Sequence, residues 1–389
     1  MKNSCDVLIV GAGFTGLVLA ERLCTELQKR VIIIDRRSHP GGNAYDELDA
    51  AGVRVHKYGP HYFRTNSALV REYLSRFTEW HAVEYKIKSF TGGRYWSFPI
   101  NLNTFEELLG RPSTTGEMEA WLAARRVPMA NPKNSEEVII SQVGWELYEM
   151  FFKGYTLKQW QRHPRELDAS VCGRIPIRTN RDDRYLREDF QALPKGGYTE
   201  MFRAMLAAAT GAELWLGTGY AGVKDRIAWK HLVFTGAIDE YYDYRFGALP
   251  YRSLRFEPQS FAKAELESRL AVSGKPSFWQ PAMQVNYPNS EAFTRIVEIK
   301  HATGQQIEAT TIVREYPENY APGQEAYYPI PAADAQRQYQ AYRELAEVEP
   351  NVSFIGRLAN YKYYNMDQVV ATALTQFNHL AQLPHLRKS

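Results

Sequence analysis

The first part of the chain carries the pattern that most restricts its fold. Residues 6–10 (DVLIV) form an apolar run that is typical of a strand buried on both faces of a parallel sheet. The loop GAGFTG follows at residues 11–16, where glycines allow a tight turn, a close approach to a pyrophosphate and close helix packing. A second apolar strand, Val31–Ile34, ends at Asp35, about 20 residues after the last glycine, where a carboxylate binds a ribose hydroxyl. This order of elements predicts a nucleotide-cofactor site in a Rossmann-like fold.

A second glycine loop favours FAD over a nicotinamide cofactor. The segment RRSHPGGNAY (residues 36–45) follows the acid directly, and its paired glycines let the backbone pass close to a long cofactor. Near the other end, residues 352–355 read as a strand and residues 367–380 as a helix with its N-terminus aimed at the flavin. The alternative for that segment is an ordinary terminal βα unit. With the first interpretation, both ends of the chain build one FAD site.

Composition excludes several classes of protein. The chain has 389 residues, which corresponds to two or three structural units, and a net charge of +3, too small to argue for a nucleic-acid partner. No apolar stretch approaches the roughly 20 residues that cross a bilayer, and no signal peptide or metal motif is evident. The 3 cysteines form no CxxC pair, which suits a reducing compartment. We therefore expect a cytoplasmic protein with no metal, nucleic-acid or membrane partner.

In the middle of the chain, sequence patterns indicate helices first and strands further toward the C-terminus. Capping patterns place helix starts at Thr104, Thr114 and Asn134. Strands flank the Gly92-Gly93 turn, and residues 294–300 and 309–316 read as an antiparallel pair. The fold class that we predict is α/β: a split Rossmann-like FAD-binding domain with an inserted helical domain and an antiparallel β-sheet domain. The predicted bounds are 1–80, 194–240 and 335–389 for the FAD-binding domain, 101–180 for the helical domain with a mobile lid at about 167–178, and 81–100, 181–193 and 241–334 for the sheet and substrate domain.

Nine segments, in order and spread over nearly the whole chain, resemble the bacterial UDP-galactopyranose mutase family. They are GGNAY (41–45), HKYG (56–59), KGYTLKQW (153–160), RIPIR (174–178), LPKGGYT (193–199), YYDYRFGALPYRSL (241–254), TRIVEIKH (294–301), REYP (314–317) and GRLANYKYYNMDQ (356–368). The resemblance implies an isomerase that interconverts the pyranose and furanose forms of a nucleotide sugar, with UDP-galactose as first choice. It implies FAD that is active when reduced, with flavin N5 attacking the anomeric carbon, and a product, galactofuranose, used in cell-wall polysaccharide.

The resemblance also implies the roles of individual residues. Arg174 and Arg295 match the arginines that bind the diphosphate, and His61 and Arg357 match catalytic residues beside the flavin. Guanidinium suits the first role because it keeps its charge and donates in a planar fork. The implied substrate-binding residues are Phe151, Phe152, Tyr155, Thr156, Trp160, Tyr185, Arg245, Asn286, Tyr316, Tyr361, Tyr364, Arg64 and Asn365. The implied cofactor-binding residues are Gly11, Gly13, Phe14, Thr15, Gly16, Asp35, Arg36, Arg37, Gly42, Asn43, Gly59, His61, Gly356, Arg357, Met366, Asp367 and Gln368.

Two positions depart from the family pattern near the sugar. Arg64 stands where the family segment has a second histidine, and Asn365 stands where it has an aspartate. Both changes raise the positive charge of the site, so we expect the chemistry to survive and the choice of sugar to be open. The other sugars considered are those of dTDP-fucose and UDP-N-acetylgalactosamine, or an anionic sugar.

Two further classes remain open at this point. One is an FAD-dependent oxidoreductase such as an amine oxidase, which shares the N-terminal motif. The other is a nucleotide-sugar binder without activity. For the mutase we expect a nucleotide-sugar substrate and an external reductant as partners, and a homodimer is compatible with the resemblance.

Overall fold

The computed structural model describes residues 3–387 as a mixed α/β fold. Its strands are β1 (Asn3–Val10), β2 (Val31–Ile34), β3 (Asp46–Leu48), β4 (Arg54–His56), β5 (Phe63–Thr65), β6 (Trp80–Ala82), β7 (Ile87–Thr91), β8 (Arg94–Phe98), β9 (Phe190–Pro194), β10 (Ala212–Trp215), β11 (Ile227–Phe234), β12 (Tyr251–Phe261), β13 (Gln284–Asn286), β14 (Arg295–Val297), β15 (Thr310–Asn319), β16 (Tyr328–Pro329) and β17 (Val352–Phe354).

Helices connect and cover these strands. They are α1 (Phe14–Leu27), α2 (Ala68–Ser75), α3 (Leu102–Leu109), α4 (Thr115–Ala123), α5 (Ser135–Tyr148), α6 (Gly154–Trp160), α7 (Ser170–Gly173), α8 (Tyr198–Ala208), α9 (Ile238–Tyr241), α10 (Lys263–Leu266), α11 (Leu270–Ser273), α12 (Lys300–Thr303), α13 (Ala333–Ala346) and α14 (Met366–Leu380). A π-helix, Glu149–Lys153, joins α5 to α6.

The dinucleotide-type sheet is parallel throughout, with strand order β10-β2-β1-β11-β17. The central strand β1 is buried on both faces, and its residues Val7, Leu8 and Ile9 are fully buried, as its continuous apolar run predicts. The strands come from the N-terminal, middle and C-terminal parts of the chain. The prediction that both ends contribute to one parallel sheet is confirmed.

Helices α1, α8 and α14 cover one face of this sheet. Leu17, Val18 and Leu23 of α1 pack in the same core as Met201 and Met205 of α8. The predicted C-terminal helix is confirmed as α14, which begins at Met366, one residue before the expected start. The parallel strands consequently end at a common edge, and the N-termini of α1 and α14 both open there.

A second sheet of seven strands has the order β16-β12-β15-β14-β13-β7-β8. The predicted antiparallel pair is β14 with β15, in which Arg295 lies opposite Glu315. The predicted hairpin around Gly92-Gly93 is β7 and β8. Neighbouring strands in this sheet are distant in sequence, so the sheet brings together residues from several segments.

The helical region, α3–α7, packs around its own apolar core. Thr114 and Asn134 cap α4 and α5 as predicted. The start predicted at Thr104 is wrong: Asn101 caps α3, and the Thr104 hydroxyl accepts from the backbone N–H of Asn101 instead. Helix α5 is broken at Gly144, where φ is 77°, a conformation that glycine adopts without a Cβ clash. The break turns the chain toward the π-helix and α6.

Two predicted domain boundaries fall inside strands, because a third sheet of order β5-β9-β6 crosses them. The boundary at 80/81 cuts β6, and the boundary at 193/194 cuts β9. The division into three units therefore stays a prediction. Among the helices of residues 3–387, none has both the length and the apolar character needed to span a membrane.

The contact between α1 and β1 gives a test of the fold. A Cβ at Gly16 would lie 2.0 Å from the Gly11 carbonyl oxygen, whereas a Cβ at Gly13 would meet nothing closer than 3.7 Å. We expect Gly16→Ala to push helix from strand and lower the free energy of unfolding by about 1–3 kcal/mol. Gly13→Ala is the matched control. Without cofactor, its thermal midpoint of unfolding should equal that of the parent protein. Equal thermal midpoints for the two variants would contradict this account of the packing.

Candidate functional site

A cavity of about 460 Å³ lies at the edge where the parallel strands end. Of the predicted cofactor residues, it is lined by Gly11, Gly13, Phe14, Thr15, Asp35, Arg36, Arg37, Gly42, Asn43, His61, Gly356, Arg357 and Met366. Its volume is in the range of small-molecule and cofactor sites. We call it the dinucleotide cavity.

The start of α1 is built to hold a phosphate group. Gly13 caps α1 without a side-chain hydrogen bond, and the first turn of α1 contains no acidic residue, so its N–H groups are available to an anion. Gly42 packs directly on Gly13, since a Cβ at Gly42 would lie 3.0 Å from the Gly13 Cα. The two glycine loops therefore meet closely, and both line the dinucleotide cavity.

Asp35 and Glu325 fix the loop of residues 35–37 beside this cavity. The Asp35 carboxylate accepts from the backbone N–H groups of Ala12 and Arg37. Glu325 pairs with Arg37 at 2.8 Å and with Arg36 at 3.0 Å. Sequence reasoning missed Glu325, since it lies 288 residues from Arg37 and no local pattern marks it.

A second cavity, of about 480 Å³, lies next to the first. Its cations and aromatic residues include Arg64, Arg174, Arg187, Arg295, Arg357, Tyr58, Tyr62, Tyr185, Tyr327, Tyr328 and Tyr363. Asn43, His61, Arg357 and Met366 line both cavities. The two spaces therefore meet at these residues, and a group bound in the first has access to the second, which we call the arginine cavity.

Tyr363 lies between two guanidinium groups in the arginine cavity. The Cζ atom of Arg174 is 5.1 Å from the centre of the Tyr363 ring, and that of Arg357 is 5.3 Å from it. Burial disfavours the phenolate, but these two cations outweigh it and lower the pKa of Tyr363 to about 8. Arg174 thus reaches across from the predicted lid to the segment that follows β17.

Arg295 is held by a carboxylate on the neighbouring strand. Its Nε and Nη2 atoms donate to Glu315 Oε2 at 2.9 and 2.7 Å. The Glu315 side chain is 1% exposed and that of Arg295 is 16% exposed. Burial disfavours the Arg295 cation, but Glu315 more than compensates and raises the pKa of Arg295 well above its usual value. This pairing directs Arg295 into the arginine cavity as a permanent cation.

His61 lies at the junction of the cavities in its neutral form. Its Nδ1 atom is 2.9 Å from the Gly59 carbonyl oxygen, an acceptor, so Nδ1 carries the proton and Nε2 keeps its lone pair. Desolvation, together with His56, Arg357 and Arg295, lowers the pKa of His61 to about 3. His61 consequently offers an acceptor and carries no charge at neutral pH.

The aromatic residues predicted to bind uridine lie behind this cavity. Phe151 and Phe152 are in the core of the helical region, and Thr156 and Trp160 are buried. Tyr155 is partly exposed, and the Trp160 ring lies 6.2 Å from that of Tyr328. Tyr328 therefore connects the arginine cavity to this group, whose uridine role stays a prediction.

Tyr316, Arg245, Tyr361 and Tyr364, which were also predicted to bind substrate, do not line the arginine cavity. Side chains alternate along a strand, so Tyr316 lies on the face of β15 opposite to Glu315 and packs on Phe293. Arg245 is exposed on a loop beside Phe246. In the segment after β17, Tyr361 is buried against Tyr251, while Tyr363 takes the position in the cavity that Tyr361 and Tyr364 were expected to share.

The remaining predicted residues lie around the cavities, and Gln368 is the one among them that lines the arginine cavity. Gly16 packs α1 on β1, and Gly59 lies behind the junction against Phe256. Asn286 accepts a hydrogen bond from Gln284, which does line the arginine cavity. Gln368 lines that cavity too and accepts from the backbone N–H of Asn365, and burial raises the pKa of the nearby Asp367.

The two residues that depart from the family pattern both line the arginine cavity. Arg64 Nε donates to Glu188 at 3.2 Å, and within residues 3–387 its two Nη groups have no hydrogen-bond partner. Asn365 precedes α14 and faces the same space. Both side chains are thus placed to touch a ligand in this cavity.

The fold and these cavities define a dinucleotide-binding enzyme with an anion site beside its cofactor. Comparison with family models matches residues 9–77 to an NAD(P)-binding Rossmann-like domain and residues 150–363 to UDP-galactopyranose mutase. The chain belongs to the UDP-galactopyranose mutase family, and it is an isomerase.

Individual relatives agree with this assignment. The chain is 35% identical to a probable UDP-galactopyranose mutase of Klebsiella pneumoniae, over 96% of this chain and 94% of the relative. It is 34% identical to dTDP-fucopyranose mutase of Escherichia coli, over 95% and 96% of the two chains. Among solved structures, a reduced UDP-galactopyranose mutase matches with a TM-score of 0.71 at 17% identity, over 96% and 95% of the chains. A putrescine oxidase shares the fold, with a TM-score of 0.59 at 13% identity, over 97% and 99% of the chains.

The Arg295–Glu315 pair predicts a large effect on stability. Glu315→Gln leaves a partly buried guanidinium without its counter-charge, so we expect the free energy of unfolding to fall by about 3 kcal/mol and turnover to fall with it. Glu318→Gln is the matched control, because Glu318 lies on the same strand and pairs with Arg255 at the surface. Its thermal midpoint should change little. Similar thermal midpoints for the two variants would contradict the role assigned to Glu315.

Tyr363 predicts a spectroscopic titration. We expect the apo-protein to gain phenolate absorbance around pH 8, because Arg174 and Arg357 favour the charged form. Tyr363→Phe should remove this step, and Arg174→Ala should move it toward pH 10, the ordinary value of about 10 for tyrosine. Tyr364→Phe is the control, since burial raises the pKa of Tyr364. A titration step that persists in Tyr363→Phe would show that another group causes it.

Proposed function

We propose that this chain is a flavin-dependent mutase that interconverts the pyranose and furanose forms of a nucleotide sugar, with UDP-galactose as its first-choice substrate. The residues of the dinucleotide cavity would hold FAD, which would be active once reduced by an external reductant. The observation that carries the proposal is the meeting of the two cavities at His61 and Arg357, which gives a bound flavin access to the anion site.

The residues of the dinucleotide cavity fit FAD. The free N–H groups at the start of α1 and the Arg36 and Arg37 cations suit its pyrophosphate, and Asp35 suits a ribose hydroxyl. When bound and reduced, FAD supplies N5 as the nucleophile toward the anomeric carbon.

Arg174 and Arg295 bind the diphosphate and stabilise the charge that develops as it leaves the sugar. Both line the arginine cavity, and neither cation loses its proton at physiological pH. Tyr328 and Tyr363 line the same region, while neutral His61 accepts a hydrogen bond at the junction without adding charge. Closure of the segment 167–178, which carries Arg174, completes the site.

An oxidoreductase acting on amines fits the cavity poorly. Five arginines and a single glutamate, Glu188, line the space among the described residues. Their field repels a cationic amine and attracts a diphosphate. The likeness to a putrescine oxidase extends to the fold alone.

The choice of sugar depends on Arg64 and Asn365. The free Nη groups of Arg64 offer donors to a carbonyl or carboxylate on the sugar, which galactose lacks. A UDP-galactose mutase and a dTDP-fucose mutase match the chain almost equally well. UDP-N-acetylgalactosamine and dTDP-fucose are therefore the second-choice substrates.

A panel of sugar nucleotides tests the proposal. We expect dithionite-reduced protein to convert at least one UDP- or dTDP-pyranose to its furanose, detected by NMR, with reductant needed only to start the reaction. Oxidised protein should be inactive. Arg64→His should change the ratio of kcat/KM between galactose and acetamido substrates by about tenfold, an amount typical of one charged hydrogen bond. Oxidation of an amine, with every sugar nucleotide inert, would refute the proposal.

We further propose a cytoplasmic location, because Cys5, Cys24 and Cys172 are free and buried and suit a reducing compartment. A homodimer stays a prediction.

A further inference from the structure

Lys158 lies on α6 between Tyr155 and Trp160, and its ammonium is bound to backbone alone. Its Nζ atom donates to the carbonyl oxygens of Tyr287, Glu291 and Phe293, the last two at 2.9 Å. An ammonium has three N–H donors, so all of them are used. The acceptors belong to one segment, residues 287–293, which connects β13 to β14.

This segment, which we call the 287–293 connection, packs on α6 without free space. A Cβ at Gly154 would lie 2.4 Å from the Pro288 carbonyl oxygen. The Asn289 side-chain amide donates to the Met150 carbonyl and to the Thr91 hydroxyl, each at 3.1 Å. The connection therefore contacts the π-helix at Met150 and α6 at Gly154 and Lys158, with Lys158 as the cation between α6 and the connection.

The connection leads directly into the diphosphate site. It ends two residues before Arg295, which Glu315 fixes in the arginine cavity. On the other side, α6 carries Tyr155 and Trp160, the residues predicted to bind uridine. Lys158 thus joins the element that presents the nucleoside platform to the element that presents the phosphate-binding arginine.

We propose that Lys158 is a positioning residue that sets the distance between the nucleoside platform on α6 and Arg295. The inference rests on the proposed function, because a nucleoside diphosphate is the ligand whose base and phosphates span these two elements. The base and the phosphates must be bound at the same time for the sugar to be aligned. A misplacement of the reacting groups by about 1 Å lowers the reaction rate strongly.

The charge of Lys158 is suited to this role. Burial lowers its pKa to about 8, opposed by the field of the Glu291 carboxylate on the connection. Above that pH the neutral amine keeps two donors for three carbonyls, so the contact weakens. UDP binding should then weaken as the pH rises through about 8.

The test uses UDP alone, titrated into the FAD-loaded full chain. Lys158→Gln removes the cation, and we expect it to raise the Kd for UDP about tenfold, as for loss of a charged hydrogen bond. Lys153→Gln is the matched control: Lys153 lies just before α6 and pairs with Glu149 at 2.7 Å, facing solvent. Its Kd should match that of the parent.

A second arm compares pH profiles. In Lys158→Arg the cation does not titrate, so its Kd should vary less with pH than that of the parent. Any slope that both proteins share belongs to Tyr363, which titrates in the same range. If Lys158→Gln does not fold, the comparison of the pH profiles of the parent and Lys158→Arg tests the proposal on its own.

The outcomes separate the two proposals. A parent protein that binds no UDP overturns the proposed function and this inference with it. A parent that binds UDP, with Lys158→Gln equal to it, or with Lys158→Arg showing the same pH slope, overturns only the role of Lys158.

Discussion

The structure depends on a set of guanidinium groups gathered in one partly enclosed space. Arg174, Arg295 and Arg357 come from three distant segments and line the arginine cavity with little compensating negative charge. Bringing like charges together costs free energy, and each cation needs local support. Glu315 supports Arg295, backbone carbonyls of Tyr327 and Tyr364 support Arg357, and the Tyr363 ring lies against both Arg174 and Arg357. An anion entering this space supplies the missing charge.

The parallel sheet and the seven-stranded sheet together position the arginines and the cofactor cavity. The parallel sheet presents the start of α1 and the glycine loops at its edge, so the cofactor cavity follows from the dinucleotide fold itself. The seven-stranded sheet holds β14 and β15 side by side, which sets Arg295 opposite Glu315. His61 and Arg357 line both cavities, and each is held by main-chain contacts that keep the junction open.

Neutral and charged groups have separate tasks in this site. His61 stays neutral chiefly because it is desolvated, with His56 and nearby arginines adding to the effect, while Arg174 and Arg357 make Tyr363 ionise more easily. The same cations thus lower both pKa values, which leaves His61 as an uncharged acceptor beside the dinucleotide cavity. Arg64 adds a further fixed cation to the lining of the arginine cavity.

The sequence by itself determined the dinucleotide fold, the strand pairing β14–β15 and the two glycine loops, because these depend on local spacing and on continuous apolar runs. It also indicated Arg174, Arg295, His61 and Arg357 as site residues, and the structure brings all four to the arginine cavity. Through the segment resemblance it indicated the family as well.

Only the tertiary structure decided which tyrosines face the site and which groups support the arginines. Tyr316 was expected there, but one step along β15 reverses the face, and Glu315 points inward instead. Tyr363 lines the cavity in place of Tyr361 and Tyr364 because the turn after β17 sets which side chain enters it, and β16 adds Tyr328. Glu325 and Lys158 find their partners far along the chain. Such contacts depend on how separate elements pack, and no local pattern in the sequence records that packing.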